Sequence, residues 1–94
     1  MARQTFLVEH YLPGGRLEEL EQLAARVVAA RLGVVHATIV PGDQSLLCVI
    51  AASSERRLRE RYAAAGVEAD RISPAIPAEI RAAHRQRKGD RDVE

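Results

Sequence analysis

The chain of 94 residues has no tryptophan, one phenylalanine and two tyrosines, an aromatic share of 3%. A core must therefore be assembled from Leu, Val, Ile and Ala, whose small side chains each bring little buried area at about 25 cal/mol per Å². The same shortage leaves almost no flat surface on which nucleic-acid bases could stack. One cysteine, Cys48, excludes an intramolecular disulfide and fits a reducing, cytoplasmic setting. No apolar run reaches the ~18 residues of a membrane span, and no signal-peptide layout precedes the first strand. Charge of one sign is also missing. The formal net charge is +1, and it is unevenly spread. Residues 81–94 hold five Lys or Arg against three acids, while the remainder holds nine against ten. A nearly neutral body lacks the basic face of a nucleic-acid binder, so neither nucleic acid nor membrane is expected as a partner.

What remains is an apolar share of 47%, ordinary for one globular domain, laid out in a regular cadence. Thr5–Tyr11 is rich in β-branched and aromatic residues and ends at Pro13-Gly14-Gly15. Leu17, Leu20, Ala24, Val27 and Arg31, with Leu23 and Ala30 beside them, recur at helical spacing and predict a helix over Arg16–Arg31. Glu18, Glu19 and Glu21 near its start and Arg26 and Arg31 near its end suit the helix dipole, and Gly33 stands where a left-handed cap is wanted. Strands at Val34–Val40 and Ser45–Ala52 flank the turn Pro41-Gly42-Asp43-Gln44. A second helix, Ser54–Ala65, opens at a serine cap and closes at Gly66. A last strand at Asp70–Ile76 contains Pro74, which confines it to an edge or breaks it. The order βαββαβ is that of an α+β, ferredoxin-like domain with a four-stranded antiparallel sheet. Residues 1–77 form this single domain. Residues 78–94 form a charged C-terminal extension, with a short helix expected over Pro77–Arg87 and fraying beyond Gly89.

The hairpin fixes its own register. With Gly42 and Asp43 at the tip, His36 faces Val49 and Thr38 faces Leu47, on one face with Val34, Val40 and Ala51. The opposite face holds Val35, Ala37, Ile39, Leu46, Cys48 and Ile50. It is wholly apolar, so the helices are expected to cover it and Cys48 reads as packing. His36 and Cys48 then point away from each other. On the first strand, Phe6, Val8 and His10 alternate with Leu7, Glu9 and Tyr11. Both sets begin apolar, and the pattern does not say which one meets the helices.

No phosphate-binding glycine loop, paired metal-ligand spacing or catalytic triad is legible, and no catalytic residue is assigned. The chemically apt groups are the polar residues set inside strands: Glu9, His10 and His36, with Thr38, Arg71 and Tyr11 in support. Glu9 is costly to bury alone. It reads either as a rim carboxylate paired with an arginine such as Arg71, or as a base or metal ligand. His10 and His36 are suited to a transition metal or to proton transfer near neutral pH.

The stretch Phe6-Leu7-Val8-Glu9-His10-Tyr11-Leu12-Pro13-Gly14 resembles the first strand of the DUF4242 family, small bacterial ferredoxin-like proteins. Gly33-Val34-Val35, Ala63-Ala64-Ala65-Gly66 and Ala69-Asp70-Arg71-Ile72 resemble it further, so that the likeness spans residues 5–76. It implies a dimeric α/β-barrel assembly in which two sheets meet face to face, with Glu9 as the family-typical acidic residue and nickel as the metal described for one member. His10 departs from the arginine more usual there. Val49-Ile50-Ala51-Ala52-Ser53 lacks the aromatic-acidic pair of the family's third strand. Three functions are expected in turn. The first is a small homodimeric binding protein joined through its helix-free sheet face, holding nickel, another divalent transition metal or a small ligand at Glu9, His10 and His36. The second is a cofactor-independent dimeric α/β-barrel enzyme of the monooxygenase or cyclase type. The third is a non-catalytic assembly module.

Overall fold

Alternating burial along the first strand organises the molecule. In the computed structural model, which describes residues 3–78, β1 (Gln4–Tyr11) turns Phe6, Val8 and His10 into the interior and leaves Leu7 and Glu9 half-buried on the other side. The elements follow as α1 (Leu17–Ala29), β2 (Val34–Val40), a 3-10 turn (Pro41–Asp43), β3 (Ser45–Ala52), α2 (Glu55–Ala65) and β4 (Arg71–Ala75). The strands pair antiparallel in the order β2-β3-β1-β4, an α+β ferredoxin-like fold. Leu20 and Val27 of α1 and Leu58 and Tyr62 of α2 are buried with Phe6, Val8, Leu46, Cys48, Ile50 and Ile72. Both helices therefore serve one side of the sheet. The short helix expected over residues 77–87 falls, beyond residue 78, outside the described residues, as does the rest of the extension.

Local chemistry accounts for the boundaries. Ser54 caps α2, its Oγ accepting from the Arg57 N–H at 3.1 Å, and Gly66 ends it in the left-handed region at φ +70°. At α1 the Glu19 carboxylate folds back to accept from the Arg16 N–H at 2.8 Å, a one-sided capping box because arginine offers no acceptor. Among the described residues β4, which carries Pro74, has a strand neighbour on one side only, so the missing N–H costs no ladder bond to a second strand there.

Four expectations are corrected, the last of them at Gly33. Helix α1 stops at Ala29, with Ala30 as its cap and Arg31 in the left-handed region (φ 55°), two residues short of the expected end. Its first leucine, Leu17, is exposed rather than part of the buried stripe. The hairpin register holds from His36–Val49 to Val40–Ser45, but Val34 pairs with Ile50, so Val35 is an extra, bulged residue. Val34 thus packs against the core, while Val35, expected under the helices, is 69% exposed. A bulge is a backbone irregularity that breaks the period-two count on which the expectation rested.

Gly33, expected to cap α1, serves close packing instead. It adopts φ +88°, its carbonyl accepts from the Ala51 N–H at 3.0 Å, and a Cβ there would collide with the Ala51 carbonyl oxygen. Gly33→Ala is expected to cost about 1–3 kcal/mol through positive-φ strain and displacement of β3. Gly42→Ala, in open space without a positive φ, is expected to stay within about 0.5 kcal/mol of the parent. Paired urea titrations measure both.

Candidate functional site

The sheet sorts the chemically apt residues into two groups on opposite sides. On the helix-free side, cross-strand pairing sets Thr38, Leu47, Glu9 and Arg71 in one row and His36, Val49, Leu7 and Ser73 in the next. Glu9 is the anchor of the first row. Its side chain is only 14% exposed, yet it carries two partners. The Tyr11 hydroxyl donates to Glu9 Oε1, and the Arg71 Nε lies 3.7 Å from Oε2. The Tyr11 phenol is pushed above its ordinary pKa, first because it donates to a carboxylate whose negative charge opposes a second one. The Asp70 carboxylate accepts from the Tyr11 N–H at 2.7 Å, and the Asp70 N–H donates to the Glu9 carbonyl at 2.9 Å. One aspartate thus fixes the end of β1 against the start of β4.

His36 and Thr38 stand at the far edge of the same face, both exposed, with His36 Nε2 and Thr38 Oγ1 2.8 Å apart. Two strand spacings of about 4.8 Å separate their backbone from Glu9. Leu47 and Val49, half-buried, fill the interval. Among the described residues, no three His, Cys, Asp or Glu side chains come together as a metal-holding group. Glu9, Tyr11 and Arg71 form one cluster, His36 and Thr38 another, and His10 joins neither.

His10 lies on the helix side, 1% exposed. Its Nδ1 is 3.3 Å from the Leu46 carbonyl oxygen. A carbonyl only accepts, so Nδ1 carries the proton and Nε2 is a bare acceptor in the neutral ring. The ring stacks on Tyr62, centroids 5.6 Å apart and planes 26° from parallel. Among the described residues, neither Nε2 of His10 nor the hydroxyl of Tyr62, both buried, has a hydrogen-bond partner. Beside His10 opens a cleft of about 350 Å³ that it lines together with Leu23, Arg26, Glu68 and Asp70. Burial is the main influence on all three polar groups in this region. It lowers the His10 pKa, raises the Cys48 thiol to about 11 and raises the Tyr62 phenol strongly.

Tyr62 is the residue that sequence reasoning left without a role. It lies one helical turn after Leu58, a spacing that turns both side chains inward, but nothing local in the sequence announces an unpaired hydroxyl stacked on a histidine from β1.

Two outcomes follow. Because the folded pKa of His10 lies below its ordinary value, the unfolded chain takes up the proton first. The stability associated with neutral His10 is complete above about pH 6.5, the unfolded value, and declines as pH falls through the lower folded value. In His10→Leu, urea titrations across this acid range should show a flatter decline. Tyr62→Phe deletes a hydroxyl that earns no hydrogen bond, so it should leave stability unchanged or raise it by up to about 1 kcal/mol. A clear loss of stability would identify a bound partner for that hydroxyl.

No family model, curated protein or solved structure matches this chain, so its function is read from the fold and from these two polar groupings.

Proposed function

We propose that this chain is a small homodimeric binding protein. Two copies join through their helix-free sheet faces and hold a small ligand or a divalent transition metal, such as nickel, with Glu9 and His36. One observation carries the reading. The helix-free face has an aliphatic centre of Leu7, Leu47, Val49 and Ala51, bordered by the Glu9–Tyr11–Arg71 cluster on one side and the His36–Thr38 pair on the other. Such a face loses water-exposed apolar area when a second copy covers it. A two-fold axis supplies each polar group twice, which gives two imidazoles and two carboxylates where one chain gives one of each. His10, on the other side of the sheet, is not part of this set, so the binding group narrows to Glu9 and His36 with Thr38, Tyr11 and Arg71 in support. The resemblance to the DUF4242 family points the same way.

The enzyme reading, a cofactor-independent dimeric α/β-barrel catalyst, draws on a different observation: the polar atoms of His10 and Tyr62, unpartnered among the described residues, with the cleft that His10 lines. A cleft of about 350 Å³ lies at the small end of ligand pockets. Substrate chemistry there would centre on His10 and leave Glu9 and His36 uninvolved.

Native mass spectrometry of freshly purified full-length chain, paired with elemental analysis after nickel or zinc addition, tests the proposal. The expected result is a twofold mass with bound metal or ligand that is lost in His36→Ala and Glu9→Gln. A monomer at micromolar concentration carrying no additional mass would overturn it.

A further inference from the structure

β2 is an edge strand that carries almost none of the usual protection against pairing with another chain. Among the described residues it has a strand neighbour only in β3. Its seven residues, Val34-Val35-His36-Ala37-Thr38-Ile39-Val40, include no proline and no Lys, Arg, Asp or Glu. Edge strands are normally blunted by charge, proline or shortness, because their free N–H and C=O groups template a further strand. The other edge obeys that rule: β4 has five residues and contains Arg71 and Pro74. The bulge at Val35 is the one protective device on β2, and it sits at the strand's start, leaving five consecutive regular pairs from His36–Val49 to Val40–Ser45.

The order of side chains says what fits against this edge. Within the regular stretch from His36 to Val40, His36 and Thr38 stand on one face, one either side of Ala37. In an antiparallel pair of identical strands related by a two-fold axis through Ala37, Ala37 meets its own copy and His36 meets Thr38. His36 would stand opposite Thr38 of the partner subunit, the same imidazole–hydroxyl pairing that the chain already makes within itself at 2.8 Å. The bulged Val35, an aliphatic side chain held 69% in solvent, adjoins this contact and would be covered by the second copy.

We infer that β2 pairs edge to edge with β2 of a second copy of this chain, extending two four-stranded sheets into one of eight. This contact uses the backbone of β2 and is distinct from the face-to-face contact proposed above, which uses the open-side side chains of β1 and β3 together with His36 and Thr38. A chain that makes both assembles as a tetramer with two unlike interfaces.

The separation makes the test decisive for each contact. Val35→Lys places a cation at the proposed edge contact on a side chain that supports no core packing. Val49→Lys places one in the centre of the helix-free face. Native mass spectrometry and amide hydrogen exchange are run on full-length chain across a concentration series. Edge pairing predicts that the β2 amides with no partner in β3 gain protection as concentration rises. It also predicts that Val35→Lys abolishes this protection and weakens association at least roughly tenfold with an unchanged monomer unfolding midpoint, while Val49→Lys retains the protection. If those amides exchange freely at every concentration, or if Val35→Lys associates like the parent, edge pairing is wrong. Loss of association in Val49→Lys alone would leave the face-to-face dimer standing without it.

Discussion

β1 and β3 exchange partners along eight consecutive pairs, from Gln4–Ala52 to Tyr11–Ser45. Successive side chains along such a ladder must point to opposite faces, and this alternation governs the placement of every group of interest. It sends Phe6, Val8 and His10 to the helices together with Leu46, Cys48 and Ile50, and it sends Leu7 and Glu9 to the open side with Leu47 and Val49. A one-residue slip would bring Glu9 under the helices and expose Phe6, at the cost of an unpaired buried carboxylate and a lost core aromatic in a chain that has only one phenylalanine. The shortage of aromatics thus makes the register strict.

The same shortage explains why His10 and Tyr62 are stacked inside. With Phe6 and Tyr62 as the only buried aromatics, the flat imidazole of His10 supplies area that leucine or valine would otherwise provide. Its Nδ1 is satisfied by the Leu46 carbonyl, but Nε2 and the Tyr62 hydroxyl are not. Unpaired buried polar atoms cost about 1–3 kcal/mol each. A pair of them on facing rings beside a polar cleft is a feature that packing alone does not account for, since Leu and Phe would fill the same volume without the penalty.

Much of the architecture was legible before the structure. The element order, the turn at Pro41–Gln44, the caps at Ser54 and Gly66 and the edge position implied by Pro74 all follow from short-range chemistry, which the sequence displays directly. The hairpin register was equally accessible, because one set of alternate residues is wholly apolar. What escaped was non-local or non-periodic. The facing of β1 was undecidable because both of its sides begin with aliphatic or aromatic residues, and only docking of the helices resolves it. The bulge at Val35 inserts a residue without any compositional mark. Leu32 and Val67, both buried, lie in connections where no periodicity announces an inward side chain. Gly33 was recognised as special for the wrong reason: its positive φ accommodates β3 rather than ending α1. Among the site residues, the pairing of Glu9 with Arg71 was accessible because both sit in strands that the fold brings side by side, whereas the stacking of His10 on Tyr62 depends on how α2 lies across the sheet.

The sheet also acts as a partition between two kinds of chemistry. His10, Cys48 and Tyr62 lie on the dry side, where burial holds the imidazole neutral and the thiol and phenol protonated. Glu9 and His36 lie on the open side, too far apart across Leu47 and Val49 to act on one small ion within a single chain. Among the described residues, a function that needs Glu9 and His36 at one point would draw them from different copies, and the manner of association would decide which groups meet. Contact between faces brings the Glu9 and His36 sets of two chains into opposition across an aliphatic layer. Contact between β2 edges brings only His36 and Thr38 of each chain together and leaves both Glu9 clusters at the outer ends of the extended sheet. Carboxylate and imidazole can converge in the first arrangement but not in the second, so metal affinity and edge pairing depend on different surfaces of the same strand-embedded histidine.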